Sequence, residues 1–218
     1  MTVQTYALLQ ADAALAIGRT DLTARIVEFI AQAEFRLTRD LFTRGFRNYA
    51  SSTFTAGEAG AVIDLPVRFL RMRSFDVLAN AVGGTATGST RNPVLWREHD
   101  FIRAVYPLQS TTGRPQFWTG LDQDQALVAP APNVAYAYRL AYYEKLAVLS
   151  AGNTTNWITA NAPDIMLYAT LCETAPYLRD DERVPMWQAE YEKRVKALAV
   201  VEKQYQGSEA SQTVGMGG

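Results

Sequence analysis

The side chains able to do chemistry alone or in small groups are few. His99 is the only histidine among 218 residues, and Cys172 is the only cysteine. A zinc site or a catalytic triad would need several partners of these types, and the chain does not supply them. Flanked by Glu98 and Asp100, His99 reads as a solvated residue at a helix start. Cys172 falls on the apolar side of a helical pattern and reads as a buried, inert thiol. Gly83-Gly84-Thr85-Ala86-Thr87-Gly88-Ser89-Thr90 has the glycine spacing of a phosphate-binding loop, but Ser89 stands where the lysine belongs. Arg91-Asn92-Pro93 follows in place of a helix, so nucleotide binding is rejected. Asp180-Asp181-Glu182 is a carboxylate cluster at a helix–helix elbow, where capping and the next helix dipole account for it without a metal. Arg68, Arg71 and Arg73 beside Phe69 and Phe75 suggest a nucleic-acid strip. On a strand, however, Arg71 and Arg73 share one face and Arg68 takes the other. Asn153-Thr154-Thr155 matches a glycosylation acceptor, with no secretory signal to accompany it. The sequence predicts no catalytic residue, no metal site and no cofactor.

Composition points the same way. The chain is 48% hydrophobic and 20% charged with a formal net charge of −1, which argues against a dedicated nucleic-acid binder with a basic face. A channel merely traversed by nucleic acid needs no basic excess. One cysteine forbids an intrachain disulfide and fits a reducing compartment. No apolar run approaches the roughly 20 residues of a membrane span, and no signal peptide is evident.

The elements that must position these residues follow from periodicity. Leu8, Leu9, Ala11, Leu15 and Ile17 predict a first helix stopped by Gly18. Thr20 or Asp21 starts a second, over 21–41, with Leu22, Ile26, Phe29, Ile30, Ala33, Leu37 and Leu41 on one face. Between residues 49 and 144 the texture is that of strands: Tyr49–Thr55, Ala61–Leu65, Val67–Leu78, Pro93–Trp96, Gln116–Gly120, Gln125–Ala129 and Val134–Glu144. Asn80–Asn92 is a Gly/Thr-rich projecting loop, and Arg97–Tyr106 a short helix ended before Pro107. From Asn153 to Tyr205 two helices are expected, 163–179 and 183–205, with Pro163 at the first helical position. The predicted fold is α+β: mainly an α-helical bundle built from both chain ends, with a β-rich insertion in the middle. Residues 1–45 and 150–205 would form the bundle, 46–149 the insertion with one short helix, and 206–218 a flexible C-terminal tail too polar to order alone.

Several pieces, in this order, carry a resemblance. They are Leu65-Pro66, Phe69-Leu70-Arg71, Tyr106-Pro107, Gly113-Arg114-Pro115, Phe117-Trp118, Pro130-Ala131-Pro132, Tyr142-Tyr143, Lys145 and Leu149-Ser150. Then come Asn153-Thr154-Thr155-Asn156-Trp157, Pro163-Asp164, Leu167-Tyr168 and Glu173 to Val184. Together they resemble the head-to-tail adaptor (connector) proteins of short-tailed bacteriophages over most of residues 20–205. The resemblance implies a structural virion protein, not an enzyme. It implies a homo-oligomeric ring, by analogy a dodecamer, that joins the portal protein to the tail and lines the DNA exit channel. Tail nozzle or tail fibre proteins would be the other partners, in a virion neck assembled in the host bacterial cytoplasm. In that setting Tyr205, Gln206, Val214 and Met216 would dock on the portal. Gly83, Gly84, Thr87 and Arg91 would form a tail-side or inter-subunit loop, and Trp157, Tyr168, Trp187 and Tyr191 would anchor the helical packing. The alternatives are a tail-completion protein on the tail tube, a cytosolic enzyme with no visible site, or a binding module using the Val134–Glu144 tyrosine strand as an edge.

Overall fold

The first helix starts and stops where side-chain chemistry allows. The Thr5 hydroxyl accepts from the Leu8 N–H, and Gly18 takes the left-handed conformation (φ 67°) with its N–H on the Ala14 carbonyl. Only glycine enters that region without steric cost. The structure, a computed structural model, describes residues 4–41, 44–82, 90–178 and 182–214. Among these, six α-helices are present: α1 (Tyr6–Ile17), α2 (Ile26–Asp40), α3 (His99–Val105), α4 (Trp157–Asn161), α5 (Pro163–Cys172) and α6 (Arg183–Val214). The chain divides into two units, one of residues 1–46 with 146–218 and one of residues 47–145.

In the helical unit, α1 buries Leu9, Ala13 and Ile17, four residues apart on one face. The predicted 21–41 helix is two pieces, a 3-10 turn over Thr20–Arg25 and then α2. Helix α2 buries Ile26, Phe29, Ile30, Ala33 and Leu37 at helical spacing. The expected 163–179 helix stops at Cys172, and a 3-10 turn over Ala175–Tyr177 follows. Pro176 within that turn cannot donate to a continuing helix. Helix α4, which periodicity does not reveal, is set by its cap. Asn156 Oδ1 accepts from Thr159 N–H while Thr159 Oγ1 accepts from Asn156 N–H, a reciprocal capping box. Helix α6 runs nine residues past the expected end at Tyr205.

The expectation of a mainly α-helical bundle built from both ends is corrected. The chain is α+β with 46% helix and 26% strand, and the helices do not form such a bundle. The reason lies in α5, which buries Ile165, Met166, Ala169, Thr170, Leu171 and Cys172 and so is covered almost all round. Helices α1, α2, α4 and α6 each pack on this ten-residue element. A helix apolar round its circumference takes neighbours on every side, and the result is a cluster about a short hub, not parallel rods sharing a seam.

The second unit consists chiefly of two four-stranded sheets. The first has the order β1 (Arg47–Thr53), β10 (Tyr136–Glu144), β3 (Phe69–Val82), β4 (Thr90–Pro93). The second has the order β2 (Val62–Asp64), β8 (Gln125–Ala129), β7 (Phe117–Gly120), β5 (Leu95–Trp96). A small pair, β6 (Thr112–Gly113) and β9 (Ala131–Pro132), completes the unit beside α3. Pairing is antiparallel except for β5 with β7 and β6 with β9. The sheets share one core: Phe75, Val77, Tyr138, Leu140 and Tyr142 from the first, Ile63, Ala126 and Val128 from the second, with Phe54 and Val94. Phe54, Phe75 and Tyr138 meet with ring centroids 4.5–6.2 Å apart, in the tilted and offset range that aromatic pairs favour.

One close approach in the helical unit makes a test. A Cβ added to Gly45 would fall inside the Trp157 indole, which also faces Phe46 at 6.3 Å. Gly45→Ala should therefore destabilise the protein by about 1–3 kcal/mol, the usual cost of overpacking, read as a lower urea midpoint. Adding Trp157→Ala should bring less than the sum of the two single losses, because the clash partner is gone.

Candidate assembly surfaces

The most strongly constrained polar group in the helical unit is one that periodicity hides. Glu34 lies on α2 between Ile30 and Leu37, on the apolar stripe, and is only 6% exposed. Its Oε1 accepts from the Leu149 N–H at 3.0 Å and from Asn156 Nδ2 at 3.1 Å. Asn156 Nδ2 also donates to the Ala147 carbonyl, and the same side chain caps α4. Burial pushes the Glu34 carboxyl up to about 7, outweighing the two hydrogen bonds that favour its charged form. A charge at an apolar-stripe position is the sequence signal for such a node.

Helix α6 is fastened by aromatic and charged side chains. Trp187 and Tyr191 are buried, while Trp157 and Tyr168 are half-buried. Tyr191 Oη donates to Asp40 Oδ2 at 2.6 Å, and the Arg36 guanidinium lies over its ring. Burial, reinforced by Asp40, pushes that phenol far above its usual range. Arg194 reaches Asp164 at 2.9 Å, pairs with Glu190 and covers the Tyr168 ring at 4.2 Å. Between Tyr191 and Val201 the cover thins: Leu198 is half-buried, and Val200 and Val201 are 56% and 44% exposed. Tyr205, Gln206 and Val214 lie on the backbone of α6, and Met216 lies outside the described residues.

The remaining expected sites are dispersed. Gly83, Gly84 and Thr87 fall outside the described residues, and Arg91 is exposed on β4 opposite Leu78. Arg68 precedes β3 in a positive-φ turn (65°) and pairs with Glu144; Arg71 and Arg73 are exposed on β3. Cys172 is buried at the end of α5, its thiol pushed up by burial. Glu182 is exposed just before α6; Asp180 and Asp181 are outside the described residues. His99, Arg103 and Glu58 line a pocket of about 420 Å³ with Ile102, Val128 and Pro130. Among the described residues no three metal-ligating side chains converge. The tyrosine strand β10 lies between β1 and β3 and offers no edge. Glu34, the carboxyl group most displaced from its ordinary range among the described residues, lines neither this pocket nor the smaller one beside β1.

The Glu34 node predicts a pH dependence. Its carboxyl rises from an ordinary 4.5 to about 7 in the folded chain, so the folded state holds the proton more tightly. The associated stability is fully present below about pH 4.5 and is lost as pH rises through 7, by about 3 kcal/mol. Denaturant midpoints between pH 5 and pH 8 should fall in the parent chain and stay nearly level in Glu34→Gln, which keeps the acceptor without the charge. Glu34→Ala should be less stable at both pH values, because Leu149 N–H and Asn156 Nδ2 lose their acceptor. An equal slope in parent and Glu34→Gln would assign the titration elsewhere.

No curated protein matches the chain. The SU10 adaptor protein model matches residues 4–216, through both units and to within two residues of the C-terminus. That family is a group of phage head-to-tail adaptors, structural proteins whose partners are portal and tail proteins of the virion neck. With the match covering nearly its whole length, the chain belongs to the SU10 adaptor protein family.

Proposed function

We propose that this phage adaptor acts as one subunit of a homo-oligomeric ring that joins the portal to the tail and surrounds the path of the exiting DNA. The observation that carries the reading is the family match over residues 4–216, with the free surface of α6 as its structural support. A 32-residue helix is about 48 Å long and ten-residue α5 about 15 Å, so α5 covers a minor part of it. Among the α6 residues whose burial is described, Tyr191 is the last that is buried. An unpartnered helical stretch is marginal in water, and the apolar Val200 and Val201 give a partner something to cover. The distal half of α6, with Tyr205, Gln206 and Val214, engages the portal together with Met216 beyond it in the sequence. Each contact is weak, and repetition around a ring raises the combined affinity. The net charge of −1 suits a conduit, because phosphate affinity grows with the number of neutralised charges.

The test is to mix the purified chain with its phage's portal protein and weigh the products. A discrete complex holding one adaptor per portal subunit is the expected result. Chains ending at Tyr205, or carrying Val200→Asp and Val201→Asp together, should keep their fold and lose at least tenfold in portal affinity. Binding to a purified tail tube with none to the portal would replace this reading with tail completion.

A further inference from the structure

The two-sheet unit is closed along one side and open along the other. On the closed side, Val94 alone separates β4 from β5, the end strands of the two sheets. Pro93 at that crossing has no N–H to present, a common way to blunt an edge. The end strands on the opposite side are β1 and β2, joined only through residues 54–61 at one end.

Both open edges direct backbone groups outward. The Phe54 N–H donates to the Tyr136 carbonyl, and the register Ser52↔Tyr138 then turns residues 50 and 52 toward β10 and residues 51 and 53 away from it. In β2, Val128 donates to the Ala61 carbonyl and Leu65 to the Asp124 carbonyl, so Ile63 faces β8 and Val62 and Asp64 face outward. The Tyr49 N–H is taken by Asn48 Oδ1. Those of Ser51, Thr53, Val62 and Asp64 find no partner among the described residues. Between the edges lies a groove of about 390 Å³, floored by Phe54, Ile63, Leu65, Tyr138 and Leu140. Packed sheets stand about 10 Å apart and paired strands about 4.8 Å, so one extended chain laid there has both edges within reach.

We propose that the β1–β2 groove is a docking site for an extended segment of a partner protein, which adds as a strand between Ser51/Thr53 and Val62/Asp64 and closes the open side. Alternate side chains of the segment turn toward Ile63 and Leu140 and must be small or β-branched. Asp64 is exposed, and among the described residues its carboxylate is engaged by Gln125 at Oδ1, so it selects a lysine or arginine directly across. A folded second copy is a poor occupant, because an edge strand brings its own sheet with it and the groove admits a single strand. Main-chain pairing of this kind supplies affinity, and the alternate pockets supply selection. The site does not depend on the portal reading of α6.

The probe is an end-blocked nonapeptide of alternating valine and threonine with a central lysine, titrated into the full isotope-labelled chain. The amide resonances of Ser51, Thr53, Val62 and Asp64 should shift together. Ser51→Pro, whose missing N–H is an outward one and breaks no bond to β10, should weaken binding at least tenfold. A peptide N-methylated at alternate residues should do the same to the unaltered protein, a comparison that needs no variant to fold. Replacing the peptide lysine by glutamate should cost severalfold, and Asp64→Lys should reverse that preference. No shift at these four amides up to millimolar peptide, or equal binding of the N-methylated peptide, overturns the proposal. So does self-association of the chain abolished by Ser51→Pro, which would give the edge to a second copy.

Discussion

A single carboxylate holds the helical unit to one arrangement. The segment from Leu146 to Asn156 has no regular structure, yet it turns Leu146 and Leu149 into the interior. Buried backbone amides must find partners, and no strand or helix of its own provides them. Glu34 accepts from the Leu149 N–H and from Asn156, which in turn holds the Ala147 carbonyl and caps α4. The start of α4 sets Trp157 against Gly45 and Phe46, and α5 follows after one residue, Ala162. Remove that acceptor and the path into α4 is no longer determined.

The node explains which parts of the sequence could be read and which could not. Helix α1 was legible because its stops are local: a Thr5 hydroxyl at one end and a positive-φ Gly18 at the other. Pro107 likewise follows the end of α3 at Val105 by two residues, and the alternation of β10 is explicit in Tyr138, Leu140 and Tyr142. Glu34 was illegible because a charge on an apolar stripe reads as a break in the pattern. Its partners lie 115 and 122 residues away, beyond any local window. Helix α4, five residues long, carries no periodic signal, and only the Asn156–Thr159 reciprocity marks it. The bundle expected from amphipathic stripes gave way because α5 has no polar face to turn outward.

In the strand unit the readable quantity was position along the chain, and the unreadable one was pairing. Short strands at regular spacing predict sheets, but nothing local says that β10 lies between β1 and β3 or that β5 pairs in parallel with β7. These are decisions of long-range packing, settled by which faces meet around Phe75 and Tyr138. The same packing decides the edges. Pro93 and the one-residue link at Val94 finish one side, while the outward amides of β1 and β2 carry no such protection.

An enzyme concentrates its perturbed acids and unsatisfied donors at a cavity, where a substrate can meet both. This chain separates them. The most displaced carboxyl group among the described residues is locked in packing and accepts from two donors, while the open amides of β1 and β2 line a groove with an apolar floor. The exposed apolar residues Val200 and Val201 sit on a 32-residue helix that packs on the ten-residue α5. In both proposals, another polypeptide meets the outward amides of β1 and β2 or the exposed stretch of α6. Both proposals start from hydrogen bonds and buried surface, and both agree with membership of a family of structural phage adaptors.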